Sequence, residues 1–459
     1  MTEADEARGD VIEHSIPGAA TVGKPQWLRN RLEWFQDLKL GLILHWGPYC
    51  QWDCCESWPL VPEDTWARGE GLECWVERGR DMERFQRDYW DLSRTFDPTE
   101  FDPEVWADIA KAAGMKYVVF TTKHHDGFCM WDTATTDYRV THPDCPFSAH
   151  PRANILREVL DAFRSRGLRI GCYFSKSDWH APCYWSRDLP FVDRNPNYDT
   201  RADPDLWARF VGYVHAQIRE LMSGYGPVDI LWLDGGQVRP PRQDIDMSAL
   251  AAMARELQPG LIIADRTVGG VYEDFLTPEH VIPDEPLPVP WESCLTLGSG
   301  WKHSPGKMTY RPTARVLREL VEIVSKGGNL LLGVGPTAAG TFDEGTTRGL
   351  LEIGEWMAVN GEAVYGTRPI APYREGDVYF ASKGDYIYAI AFVGDEREVR
   401  LRSLRPAPGA SVALLGRTER LAWRTEGDSA LIELPAELPS KHAVTVTFPR
   451  GNGLQPIAK

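Results

Sequence analysis

Asp234 ends an apolar run, VDILWLD at residues 228–234, and two glycines follow it. A short buried run stopped by a turn signal reads as an interior strand of a parallel sheet. The glycines let the backbone turn immediately after the carboxylate. A carboxylate at the carboxyl end of such a strand is where a βα-barrel places chemistry, although a single one reads equally well as a helix cap. Other strand ends add weight. One run delivers His45-Trp46-Gly47, and a second delivers Lys123, His124, His125, Asp126, Gly127 and Phe128. A third gives Tyr173 and Ser175, then Asp178, Trp179 and His180; a fourth gives Asp265 and Arg266; a proline-rich loop leads to Trp291-Glu292, with Trp301 beyond. Six such ends offering His, Asp, Glu, Arg or Trp describe one polar pocket with aromatic walls.

Three reaction types compete for these residues. Histidines and aspartates could hold a catalytic metal. Yet His124 and His125 are adjacent and leave a strand on opposite faces, and neither H-x-H nor H-E-x-x-H occurs. A nucleophilic serine lacks its G-x-S-x-G turn. Two carboxylates among aromatic rings and neutral donors suit glycoside hydrolysis best, with one attacking or activating water and the other protonating the leaving oxygen.

The elements that must carry these residues follow from pattern. Residues 1–23 read as a loose amino-terminal arm. From 24 to 366, strand-like runs at 40–45, 117–122, 168–174, 229–234, 261–265 and 329–334 alternate with amphipathic helical stretches. That alternation predicts a parallel α/β fold, a TIM-like (β/α)-barrel with irregular closure, since six strands are visible rather than eight. Residues 367–459 change character: short strands at 378–381, 386–392, 411–415, 430–434 and 443–448, split by turns, predict an antiparallel β-sandwich. The stretch PDEPLPVP at 283–290 must be a loop.

Composition narrows the partners. A chain of 459 residues suggests two domains, and a net charge of −16 argues against nucleic acid or an anionic membrane. No apolar stretch approaches the roughly 18 residues of a membrane span. The 18 tryptophans and 16 tyrosines suit sugar faces, and equally a large aromatic core. Nine scattered cysteines without a C-x-x-C pair argue against structural zinc and for reduced thiols. With an acidic amino terminus lacking an apolar signal core, the expected location is the cytoplasm. No cofactor and no metal are expected; the expected partner is a carbohydrate, and assembly into a homo-oligomer is left undecided.

The chain resembles the α-L-fucosidases of glycoside hydrolase family 29. The resemblance is carried by WFQDLKLGLILHWG at 34–47, AGMKYVVFTTKHHDGF at 113–128, ILWLDG at 230–235, VSKGGNLLLGVGP at 324–336 and WMAVNGEAVYG at 356–366. It covers roughly residues 24–370, and KHHDGF and SKGGNLLL are its most specific parts. It implies a retaining exo-glycosidase with Asp234 as nucleophile. His45, His124, His125, Tyr173 and Arg266 match residues that bind sugar hydroxyls or the nucleophile. Glu56 and Trp58 match a pair on the same sugar, and Trp301 matches a wall under its C6 methyl. Glu292, in WESC, matches the acid/base pattern, with Glu273 and Asp274 as rivals. Two departures bear on the sugar: SGWKH at 299–303 alters the wall near C6, and an insertion at 59–91 with Trp66, Trp75, Tyr89 and Trp90 either roofs the aglycone or packs on the barrel. The remaining alternatives are an α-L-galactosidase or α-L-glucosidase of the same chemistry, a metal-dependent barrel hydrolase, and a carbohydrate-binding protein without catalysis.

Overall fold

Seven parallel strands form the inner wall: β1 Leu40–Leu44, β2 Tyr117–Lys123, β3 Arg169–Ser175, β4 Ile230–Asp234, β5 Ile262–Asp265, β6 Glu292–Thr296 and β7 Asn329–Val334. Their order is β5-β4-β3-β2-β1-β7-β6. The computed structural model describes residues 23–68, 81–394 and 396–451. Residues 1–22 of the arm expected over 1–23, Trp75 of the insertion and residues 452–459 lie outside the described residues. The strands are almost continuously buried, as expected of a parallel sheet covered on both faces.

The curled sheet is not closed by an eighth regular strand. Residues 272–280 fill the gap between β5 and β6 instead. Glu273 bridges Ala264 in an antiparallel sense, then Leu276 and Glu279 bridge Trp291 and Cys294 in a parallel sense. Asp274 N–H donates to the Ile263 carbonyl at 2.8 Å, and His280 N–H donates to that of Cys294 at 3.0 Å. The irregular (β/α)-barrel expected from the sequence is therefore present, with one more strand than the six runs. β6 escaped detection because ESCLT is short, half polar and preceded by prolines.

Helices α1 Gln26–Leu38, α2 Met82–Trp90, α3 Pro103–Ala112, α4 Ile155–Ser165, α5 Pro204–Gly224, α6 Met247–Leu257, α7 Thr313–Ser325 and α8 Glu344–Asn360 accompany the strands. Asp102, Asn154, Asp203, Asp246 and Asp343 each accept a backbone N–H at a helix start, a cap worth about 1 kcal/mol. α1 underlies the barrel. Its Leu28, Leu32 and Phe35 join Ile43, Tyr117, Val119, Trp232 and Leu331 in one apolar cluster, roughly 1.5–3 kcal/mol of burial per large side chain. Gly41 makes this possible, since a Cβ there would sit 2.3 Å from the Tyr117 ring.

Beyond the barrel come β8 Arg368–Glu375, β9 Val378–Lys383, β10 Tyr386–Ala391, β11 Glu398–Leu401, β12 Ala413–Leu414, β13 Trp423–Glu426, β14 Ser429–Glu433 and β15 Val444–Pro449. A five-stranded sheet, β12-β15-β10-β9-β8, and a three-stranded sheet, β11-β14-β13, are both antiparallel. Phe380, Ile387, Leu401, Ile432 and Phe448 share the core of this sandwich. β8, β11 and β13 were not among the five runs read from the sequence. β8 holds two prolines, and β13 is largely exposed.

Candidate active site

All seven strands point their carboxyl ends to one face, where the polar strand-end residues meet. Asp234 is the last residue of β4, and Gly235 takes the turn after it at a φ of 85°. The Tyr173 hydroxyl donates to Asp234 Oδ2 at 2.6 Å, and Arg266 Nη1 donates to Oδ1 at 3.0 Å. Burial by itself raises the pKa of this carboxyl. The Arg266 charge, with lesser help from His125 and the Tyr173 hydrogen bond, overcomes that and holds it well below the usual carboxylate range. Asp234 is therefore an ionised and oriented nucleophile candidate.

The second carboxylate of the pocket is Glu279. Arg266 Nη2 donates to its Oε2, and Trp301 Nε1 donates to its Oε1 at 3.0 Å. One guanidinium thus spans Asp234 and Glu279. Burial pushes Glu279 upward, and the nearby Asp234 charge adds to that; the charge and hydrogen bond of Arg266, with His280, together outweigh both and hold it below its ordinary value. No local sequence pattern marks Glu279, although it lies in the same loop as Glu273 and Asp274. Its one visible signal is position: it follows Arg266 by 13 residues, on the segment that completes the wall.

Glu292 is elsewhere. It opens β6, pairs in register with Asn329 at the start of β7, and is fully buried at the amino end of the barrel. It accepts Trp232 Nε1–H at 3.2 Å and the Tyr117 hydroxyl. The acid/base expectation for Glu292 is thereby corrected: the proline loop enters β6 at the end opposite the pocket, so a residue at the loop–strand junction faces the floor. The rivals are structural too. Glu273 accepts the Thr267 and Gly269 N–H groups at 3.2 and 2.9 Å. Asp274 is held by Lys24 at 3.2 Å, by Arg255 at 2.8 Å and by the Ile263 N–H at 2.7 Å.

The expected binding residues converge. The His45 ring centre lies 5.9 Å from His124, 5.5 Å from Tyr173 and 5.0 Å from Trp301. Burial drives His45 and His125 down to about 4 and His124 further still, so all three are neutral. His125 Nδ1 is engaged by Ser175 and Ser177, which leaves Nε2 turned towards Asp234, 3.6 Å from Oδ2. His124 Nδ1 is bonded to Ser57. His45 Nδ1 and His125 Nε2 are buried without a hydrogen-bond partner, and such atoms call for a ligand's hydroxyls. Trp301 reaches the pocket because β7 has Gly333 there; a Cβ would come within 2.5 Å of the indole. His280, unremarked in the sequence, stands 5.1 Å from Trp301.

Trp58 lies 4.7 Å from His125, with Trp66 next along the rim at 6.1 Å and half exposed. Glu56 touches the pocket indirectly: its carboxylate accepts the Lys302 N–H at 3.2 Å and so fixes the turn carrying Trp301. It does so at a φ of 37°, a left-handed value that is costly for a residue with a Cβ. The later part of the insertion packs against the barrel, with the Tyr89 hydroxyl on the Glu56 carbonyl at 3.0 Å and on Asp126 at 3.2 Å. Among the described residues no three His, Cys, Asp or Glu side chains are grouped to hold a metal.

Two carboxylates under one arginine, ringed by neutral histidines and tryptophans at the carboxyl face of a barrel, define a glycoside hydrolase. The model of the family described as alpha-L-fucosidase matches residues 21–362, and the chain belongs to that family. It is 30% identical to human tissue alpha-L-fucosidase, over 89% of this chain and 86% of that protein. Among solved structures, alpha-L-fucosidase isoenzyme 1 from Paenibacillus thiaminolyticus superimposes with a TM-score of 0.78 at 31% identity, covering 93% of this chain and 100% of that one. The Thermotoga maritima alpha-fucosidase in complex with a mechanism-based inhibitor gives 0.72 at 26% identity, over 97% and 99%.

Proposed function

We propose that the protein is a retaining exo-α-L-fucosidase in which Asp234 is the nucleophile and Glu279, not Glu292, is the acid/base. The observation that carries this is the single guanidinium of Arg266 bridging both carboxylates. Such bridging favours the short carboxyl separation of retaining enzymes, roughly 5–5.5 Å, over the roughly 6.5–9.5 Å that leaves room for an inverting water. In the first step Asp234 attacks the anomeric carbon, the glycosidic C–O bond breaks, and Glu279 gives its proton to the departing oxygen. In the second, Glu279 takes a proton from water, the water oxygen attacks the anomeric carbon, and the bond to Asp234 breaks. The proximity of Asp234 serves this change of role. Its negative charge raises the Glu279 pKa before the first step, and ester formation removes that charge, leaving a base. Substrate seated between the two must part Glu279 from Arg266, which otherwise keeps it ionised.

The unpartnered nitrogens of His45 and His125 are available to sugar hydroxyls. The Trp301 indole offers an apolar wall that suits a methyl at C6 better than a hydroxymethyl. Cys50, Cys54, Cys129, Cys145, Cys172, Cys183 and Cys294 are free thiols, which supports a reducing, cytoplasmic setting.

Azide separates the two roles. With Asp234→Ala, azide replaces the nucleophile directly and 4-nitrophenyl α-L-fucoside should yield β-L-fucosyl azide. With Glu279→Ala, azide attacks the glycosyl-enzyme and the product should be α-L-fucosyl azide. Identical anomers from the two variants, or normal turnover in either without azide, would sink the assignment.

A further inference from the structure

We propose that Glu292 is a positioning residue, which through Trp232 sets the placement of both side chains that hold Asp234. The inference rests on Asp234 being the nucleophile, as argued above.

The chain of contacts is short. Glu292 Oε1 accepts Trp232 Nε1–H at 3.2 Å, and the other oxygen accepts the Tyr117 hydroxyl. The Trp232 indole in turn supports two groups. The Tyr173 ring stacks on it with centroids 5.4 Å apart and planes 25° from parallel. The Arg266 guanidinium carbon lies 5.0 Å from its centre. These are the two donors that take one oxygen each of Asp234, at 2.6 and 3.0 Å. A displacement of this one ring therefore moves both donors to the nucleophile.

A carboxyl is an expensive choice for the floor of an apolar barrel. Glu292 is wholly inaccessible to solvent, and both its partners, Tyr117 and Trp232, belong to the apolar cluster that includes Ile43, Val119 and Leu331. Apolar residues of similar volume are often as stable or more so at such a site. What an apolar residue cannot do is accept the indole N–H and fix how the ring is turned. Burial pushes Glu292 up to about 7, yet both protonation states keep lone pairs for that N–H, so the anchor persists through neutrality.

Two substitutions that each keep an aromatic ring test this in the full-length enzyme. Trp232→Phe and Tyr117→Phe each remove one donor to Glu292 and keep an aromatic ring, but only Trp232 leads on to Asp234. On 4-nitrophenyl α-L-fucoside, Trp232→Phe should lower kcat roughly 10- to 100-fold, the scale of a misplaced reacting group. KM and competitive inhibition by L-fucose should stay within about 3-fold, because the sugar is held by other residues. Tyr117→Phe should stay within about 3-fold in kcat as well. Glu292→Leu should behave as Trp232→Phe does, Glu292→Gln should restore most of the loss, and Glu292→Leu added to Trp232→Phe should cost little more. Equal effects of Trp232→Phe and Tyr117→Phe, or a Trp232→Phe loss falling in KM and thermal stability instead of kcat, overturn the proposal. If Glu292→Leu does not fold, the two phenylalanine variants still decide. Asp234→Ala in the same assay separates the levels. An active Asp234→Ala refutes the nucleophile assignment and this inference with it. An inactive, azide-rescued Asp234→Ala beside equal phenylalanine variants refutes the positioning role alone.

Discussion

Replacing Glu279 by glutamine should discriminate between substrates by their leaving groups. Glutamine keeps an oxygen to accept the Trp301 N–H, so the side chain stays in place. It loses the proton. For a fucosyl disaccharide the departing oxygen is a poor alkoxide, and a positioned acid contributes roughly 10²–10⁴-fold, or about 2.7–5.5 kcal/mol of barrier. For 4-nitrophenyl α-L-fucoside the phenolate leaves unaided, so kcat/KM should fall by no more than about tenfold. That residual loss reflects Arg266, which loses one of its two carboxylate partners and draws more tightly on Asp234. The second step needs the missing base on either substrate, so stopped-flow absorbance should show a burst of nitrophenol followed by slow turnover. Glu292→Gln, buried at the floor, should affect both substrates by the same modest factor. Equal losses on the two substrates for Glu279→Gln, with the contrast appearing in Glu292→Gln, would refute the geometric reasoning and restore the sequence expectation.

Gly333→Ala should place a methyl 2.5 Å from the Trp301 indole. The ring must then tilt out of the pocket, at a strain cost of about 1–3 kcal/mol; inhibition by L-fucose should weaken tenfold or more, and unchanged affinity would show that Trp301 does not line the sugar site. The Glu292→Gln variant also tests the floor carboxyl through stability. Its folded pKa of about 7 lies above that of an unfolded chain, so the fold keeps a proton the unfolded state has released. The stabilising contribution is complete below the unfolded value of about 4.3 and is lost as pH rises through 7. Glutamine is neutral throughout and should gain on the order of 2–3 kcal/mol over glutamate between pH 5 and 8. A difference in thermal unfolding that stays constant over that range would contradict it.

Much of the site was legible because its carriers are local patterns. An apolar run stopped by Asp-Gly-Gly reads as β4 ending in Asp234 whatever surrounds it. KHHDGF likewise sits at the end of a seven-residue strand, Tyr117–Lys123, that is buried throughout. Glu292 failed because its place depends on pairing. WESC is visible in the sequence, but which end of the barrel it meets is decided by the register of Glu292 against Asn329, and no local signal records that. Glu279 was hidden for a related reason. It rides on a segment whose hydrogen bonds go first to β5 in one sense and then to β6 in the other, so neither a strand nor a helix period marks it. Prolines obscured β8 and exposure obscured β13, since both blur the alternation that announces an antiparallel edge.

The irregular closure of the wall divides the two carboxylates by how much change in chain length each tolerates. Asp234 sits on a ladder paired residue for residue with β3 and β5. One inserted residue there would turn the carboxylate to the opposite face. Glu279 follows a loop and is tethered by scattered bridges and by side-chain contacts such as those of Asp274, not by a continuous ladder. Residues added or removed between Arg266 and Glu273 can be absorbed as loop at little entropic cost, with the tethers and the carboxylate left in place. A change of length at 267–272 that keeps the Thr267 and Gly269 N–H groups on Glu273 therefore leaves both carboxylates standing, whereas the same change within β4 removes Asp234 from the pocket.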